Sequence, residues 1–298
     1  MTPPGAPAAP PPGGGQRQRT GGAGSAAFAG SMPSVAERGS DVPILDVQRI
    51  SKHFGGVKAV NEVSLKVMPG EIVSLIGPNG AGKTTTFNLI SGVLPPTAGR
   101  ILFQGADTAR LKSSDYAAAG IGRTFQNLAL FRHGTVVENL LIGRHVHLRS
   151  TVLEALFFWG RPRREEIEAR EKVERIIEFL EIEELRDKTV GSLAYGQQKR
   201  VELGRALACE PRLLLLDEIV AGMNREEKED IARFTLDIRD EFGISVLMIE
   251  HDMQVVMDLS DRIYVLDFGC LIAEGTPAEV AANPQVLAAY LGQEGVHA

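Results

Sequence analysis

The chain has 298 residues, 44% of them hydrophobic, which is enough apolar material for one large domain or two small ones with a sizeable core. A net charge of −6, with both signs interspersed, argues against a nucleic-acid partner. Cys209 and Cys270 lie far apart in sequence, so a disulfide framework is not expected and a reducing compartment is. No apolar run reaches the ~20 residues that span a bilayer. The greasiest stretch, Thr151–Trp159, is short and carries Glu154. A membrane role would therefore have to come through a partner.

Residues 1–42 are rich in Pro, Gly and Ala without periodicity and read as a disordered tail. The folded part starts near Pro43. Ile44–Val47 and Val63–Val67 alternate as half-buried strands, an N-terminal antiparallel β part, with Lys52-His53-Phe54-Gly55-Gly56 between them. Glu71–Ile76 is a β-branched apolar run and reads as a buried strand.

Gly77-Pro78-Asn79-Gly80-Ala81-Gly82-Lys83-Thr84 follows at once and fits G-x-x-x-x-G-K-[ST], the phosphate-binding loop. Thr85 to Ile90 then reads as a helix start. Strand, glycine-rich loop and helix N-terminus make an anion site, because loop N–H groups and the helix dipole point at the same place. Gly77, Gly80 and Gly82 permit backbone conformations closed to larger residues. Lys83 supplies a point charge for the β- and γ-phosphates, and the Thr84 hydroxyl is a hard oxygen suited to Mg²⁺. A chance glycine-rich turn would lack the flanking strand and helix, so a nucleoside triphosphate is the expected ligand.

Beyond a Pro/Gly-rich turn, Arg100–Phe103 and Ile121–Phe125 read as strands, the second ending at Gln126. Residues 135–190 change character. Thr135 is placed to cap a helix, and Glu165–Leu180 carries Ile167, Val173, Ile176, Ile177 and Leu180 near helical spacing. This predicts an α-helical subdomain, about 127–200, inserted into the α/β core. Leu213–Leu216 is a continuous apolar strand running into Asp217 and Glu218, as for a parallel strand covered on both faces. Ser245–Ile249 is another, ending at Glu250-His251-Asp252. Two further strands and two short helices close the chain.

Ligands of open α/β sheets bind beyond the carboxyl ends of the strands. Gln126, Asp217, Glu218 and His251 all stand at such ends. Asp217 suits the outer shell of Mg²⁺, Gln126 can hold Mg²⁺ or water, Glu218 suits a general base for the attacking water, and His251 can donate to the γ-phosphate. Singly, such a histidine is more often structural and such a carboxylate a helix cap. Their joint placement after this loop favours catalysis.

In this order the motifs resemble the ATP-binding subunit of an ABC transporter, over about Ile44 to Gly292. The resemblance implies an α/β P-loop NTPase core with a mixed sheet, a cassette over residues 43–292 and a short tail, 293–298. Phe54 matches the aromatic that stacks on adenine, and residues Gly77 to Thr85 the ATP-binding loop. Ser192, Leu193, Ala194, Tyr195, Gly196 and Gln197 match the signature that acts in trans on ATP held by a partner subunit. Ala194 and Tyr195 stand where the general signature has serine and glycine, Asn224 where an aspartate is usual, and Ile219 where a proline is common. Leu193-Ala194-Tyr195-Gly196-Gln197-Gln198, Thr124-Phe125-Gln126-Asn127 and the ending Ala273-Glu274-Gly275-Thr276-Pro277 resemble the branched-chain amino acid importers.

The resemblance thus implies an ATPase using ATP and Mg²⁺ to power an importer of branched-chain amino acids or similar small polar solutes. It implies a second ATP-binding subunit, transmembrane permease subunits touched by Leu128, Leu130 and Phe131, an extracytoplasmic solute-binding protein indirectly, and a place on the cytoplasmic face of the membrane. A soluble ABC-type ATPase uncoupled from transport is the alternative. Its relatives carry long coiled-coil insertions or two cassettes, whereas here there is one motif set and a compact insertion.

Overall fold

The computed structural model describes residues 42–124, 129–147 and 161–294. Nearly all of the expected N-terminal tail, the segment with Gln126 and Leu128, the Thr151–Trp159 stretch and residues 295–298 lie outside the described residues.

Two strands, β1 (Leu45–Phe54) and β2 (Val57–Val67), form a hairpin closed at Gly55-Gly56. With β4 (Ala98–Phe103) and β5 (Ala106–Asp107) they make an antiparallel sheet in the order β2-β1-β4-β5. Lys52, His53 and Phe54 belong to β1 rather than to a connection. Register shifts between Val47 and Ile50, and again before Lys52, break the period-two alternation, so the strand's second half is hidden from pattern reading.

The larger sheet has the order β10-β9-β3-β8-β7-β6. Its strands are β3 (Ile72–Ile76), β6 (Ile121–Arg123), β7 (Leu213–Asp217), β8 (Ser245–Ile249), β9 (Arg262–Asp267) and β10 (Cys270–Gly275). All neighbours are parallel except β10, which runs antiparallel to β9. This is the mixed sheet of an α/β fold. Every residue of β3, β7 and β8 is buried, which explains their unbroken apolar runs. The leucines of β7 alternate between two cores: Leu213 and Leu215 pack with Val47, Leu65 and Phe87, while Leu214 and Leu216 face Leu140, Ile176 and Leu203.

The second of those cores includes the inserted helices, which fill the chain between the parallel neighbours β6 and β7. They are α3 (Val136–Arg144), α4 (Arg161–Phe179) and α5 (Tyr195–Ala208), preceded in the chain by α1 (Lys83–Ile90) and α2 (Asp115–Ala119). The start of α3 is a capping box: Glu138 N–H donates to Thr135 Oγ1, and Thr135 N–H to Glu138 Oε2. Gly143 lies so close to α5 that a Cβ would stand 2.4 Å from the Arg205 carbonyl oxygen. Val173, Ile176, Ile177 and Leu180 are buried as the spacing predicts, whereas Ile167 is 47% exposed and stands off the core. Leu130, expected on a partner surface, is buried in this core, while Phe131 remains outside. The last helices are α6 (Arg225–Phe242), α7 (Met253–Leu259), α8 (Pro277–Ala281) and α9 (Pro284–Glu294). Cys209 and Cys270 are both free thiols.

Candidate active site

The β3 strand hands the chain to Gly77 in a left-handed conformation (φ 147°), where a Cβ would lie 2.1 Å from the Leu266 carbonyl oxygen. Gly82 (φ 95°) is equally pressed against the Ala59 carbonyl and stands at the N-cap of α1, where no side chain caps the first turn. The open donors of that turn are thus left to a ligand. The Lys83 ammonium is buried and donates to the carbonyls of Gly77 (2.7 Å) and Pro78 (2.9 Å). Burial lowers its pKa below the usual lysine range, and the charge of Glu218 pulls it back up. Thr84 is exposed beside it.

A cleft of about 480 Å³ opens over this loop. Asn79, Gly80, Ala81, Gly82, Lys83, Thr84 and Thr85 line one wall, with Glu218 and His251 from the ends of β7 and β8. Glu218 is a non-glycine residue with φ 50°, a sparsely populated conformation of the kind that concentrates at working sites. Its Oε1 lies 3.0 Å from His251 Nε2. Val57, Lys58, Ala59, Phe268 and Gly269 complete the lining, and no sequence motif points to them. Phe54 stands outside this lining at the end of β1, 49% exposed, with the Lys52 ammonium 5.5 Å from its ring centre; its cross-strand partner Val57 lines the cleft.

Asp217 is almost fully buried, and one of its oxygens pairs with the Arg123 guanidinium at 2.9 Å. Its other oxygen, Oδ1, is buried with no hydrogen-bond partner. Asp217 is not among the residues lining the cleft, but this orphaned oxygen and the exposed Thr84 hydroxyl are both hard donors of the kind Mg²⁺ takes. Gln126, the third expected donor, lies outside the described residues.

Glu250 is a functional candidate that motif reading passed over. It is 3% exposed, and its Oε1 accepts the Val220 N–H at 3.1 Å. Burial pushes its pKa up to about 7, with backbone donors on Val220, His251 and Ile219 pulling down and the Glu218 charge pushing up. One carboxyl therefore ties the segment after Glu218 to the end of β8.

None of Ser192 to Gln197 lines the cleft. Ala194 is the N-cap of α5, and its N–H donates to Gln197 Oε1 at 3.1 Å. Alanine offers no reciprocal oxygen, so the helix opens with free donors. A Cβ on Gly196 would stand 2.2 Å from Glu227 Oε1, so the Glu227 carboxylate lies directly against this turn of α5, and a Cβ on Gly222 would stand 3.3 Å from the Tyr195 ring.

A parallel-stranded core whose central strand feeds a glycine-rich loop, a buried lysine and a helix N-terminus defines a P-loop nucleoside triphosphatase. The family described as "ABC transporter" matches residues 60–221, and that described as "Branched-chain amino acid ATP-binding cassette transporter" matches residues 270–296. The chain belongs to the ATP-binding cassettes of ABC transporters and is an ATPase of that family. It is 45% identical over 251 residues to BraF of Pseudomonas aeruginosa, a high-affinity branched-chain amino acid transport ATP-binding protein, with 84% of this chain and 98% of BraF covered. A nucleotide-free ATP-binding cassette from an ABC transporter superposes with a TM-score of 0.73 at 37% identity, covering 84% of this chain and 99% of its own. A dimeric bacterial ABC transporter cassette does so with a TM-score of 0.68 at 25% identity, covering 78% and 98%.

Proposed function

We propose that this chain is the ATP-hydrolysing subunit of an importer for branched-chain amino acids. The single observation that carries the chemistry is the meeting of Lys83, Glu218 and His251 on one cleft over an uncapped helix N-terminus. Residues 43–292 form the cassette, and helix α9 carries it on to Glu294.

The loop N–H groups of Gly80 to Thr84 and the Lys83 ammonium hold the β- and γ-phosphates. Glu218 takes a proton from the attacking water, and its strained backbone and the His251 contact fix the carboxylate's aim. His251, with its side chain 47% exposed, donates a ring N–H to the γ-phosphate once ATP is bound. Thr84, Asp217 and Gln126 would hold Mg²⁺, which supplies charge neutralisation to the phosphates when bound. Phe54 stacks on adenine beside Val57.

The free donors at the start of α5 face a second cassette's nucleotide, so ATP joins two subunits; the likeness to a dimeric cassette supports a paired assembly. Permease subunits dock at Phe131 and the neighbouring segment, which places the chain peripherally on the cytoplasmic face of the membrane. The BraF likeness supports the solute class. The test is reconstitution with the permease subunits and binding protein in vesicles. Uptake of leucine that needs internal ATP is expected, and ATP hydrolysis with no stimulation by leucine-loaded binding protein would refute the solute assignment.

A further inference from the structure

Asp267 pairs with Cys270, so β9 and β10 are joined by two residues, Phe268 and Gly269. Their φ values are 43° and 78°. A two-residue hairpin loop with both central residues left-handed matches the twist of its strands, but its first position belongs to Asn, Asp or Gly. Phenylalanine fits poorly there, since its Cβ crowds the backbone and it has no short polar group to compensate.

The ring recovers nothing by burial. Phe268 is 85% exposed, and among the described residues no other large apolar side chain is more so. The turn is nonetheless firmly held. Gly269 N–H donates to the Ala81 carbonyl of the phosphate loop (3.0 Å), and the Gly269 carbonyl accepts the Asn61 N–H of β2 (2.8 Å). Only glycine fits at 269, because a Cβ would lie 2.8 Å from the Ala59 carbonyl oxygen. A strained, exposed aromatic is thus fixed on the rim of the cleft, beside Val57 and Lys58. Strain and exposure both work against the free protein's stability, and such conformations cluster at ligand clamps.

We propose that Phe268 is a nucleotide-contacting residue whose ring packs against the base and ribose of ATP. The inference rests on the reading of this cleft as the ATP site. The phosphates already have the loop and Lys83, and an aromatic ring has nothing to offer them. What remains in the same cleft for a ring to meet is the nucleoside, through its π-face and the C–H groups of the sugar.

The test compares wild type, Phe268→Asn and Phe268→Tyr in the full chain by calorimetric titration with ATP, ADP and inorganic tripolyphosphate. Asparagine suits the turn, so Phe268→Asn should melt at a higher temperature than wild type without nucleotide. It should bind ATP and ADP about tenfold more weakly, leave tripolyphosphate affinity unchanged, and Phe268→Tyr should bind ATP as wild type does. Wild-type ATP affinity in Phe268→Asn overturns the proposal; if ATP-driven dimerisation alone weakens, the ring serves a protein partner instead. Wild-type protein that binds neither ATP nor tripolyphosphate would instead bring down the reading of the cleft itself.

Discussion

Glu218 Oε1 and His251 Nε2 stand 3.0 Å apart, joining the ends of two adjacent parallel strands across the mouth of the cleft. This contact fixes where a water proton can be taken. Glu218→Gln keeps the shape and the hydrogen bond but removes the base. ATP affinity should be unchanged while turnover drops by about 10²–10⁴-fold. Hydrolysis at the wild-type rate would show that another group takes the proton.

Lys83 carries a second pair of opposed effects. Its buried ammonium costs the free protein stability, because burial disfavours the charged form. It is held by two carbonyls that cannot fully replace water. Lys83→Met should therefore melt at or above the wild-type temperature, yet lose the stabilisation that ATP confers on wild type. Titration with a fluorescent ATP analogue should show at least a tenfold weaker Kd. Unchanged affinity would remove Lys83 from the phosphate site.

The buried Arg123–Asp217 bridge, with side chains 10% and 3% exposed, should respond very differently from the exposed Arg49–Glu62 pair, at 73% and 60%. Asp217→Asn removes the carboxylate charge that faces the buried Arg123 guanidinium and should destabilise by more than about 1 kcal/mol. Glu62→Ala should cost no more than about 1 kcal/mol. Chemical denaturation of both variants measures the contrast, and equal losses would contradict it.

Glu250 makes stability depend on pH in a stated direction. Its folded pKa is about 7, against 4.5 for the ordinary carboxyl. The folded state therefore holds a proton that the unfolded chain releases, so this contribution is complete below pH 4.5 and lost as pH rises through 7. Glu250→Gln keeps an oxygen for the Val220 N–H and cannot ionise. It should flatten the pH dependence of Tm across this window and be the more stable form in alkali, by on the order of 3 kcal/mol. A variant curve parallel to wild type would place the titration elsewhere.

How much of this was legible beforehand depended on whether the signal was local. The phosphate loop, its strand and its helix are written within a few consecutive residues, and so is the Thr135–Glu138 capping box. The apolar run of β7 announces burial on both faces. The register shifts of β1 erased its alternation, so Phe54 read as part of a loop. Leu130 was expected on a permease contact from the family resemblance, but it turns into the helical core. Glu250 was invisible as a functional group because its meaning lies in the backbone of Ile219 and Val220, which only the pairing of β7 with β8 brings near. The wall of β2 and the Phe268–Gly269 turn reach the cleft solely through the tertiary fold.

The pairing of β3 sets the order in which the nucleotide cleft can come into being. Ile72 meets Val246 on one side, and Val73 meets Arg262 on the other. The strand that launches the phosphate loop therefore has neither sheet neighbour until synthesis has entered the last quarter of the chain. Long-range parallel pairing of this kind is slow to form. An emerging polypeptide carries its glycine-rich loop for most of translation without a sheet to brace it. A message truncated before β8 would accordingly yield no ATP-competent fragment, and a nascent chain should gain nucleotide-dependent protease resistance only after β9 has left the ribosome.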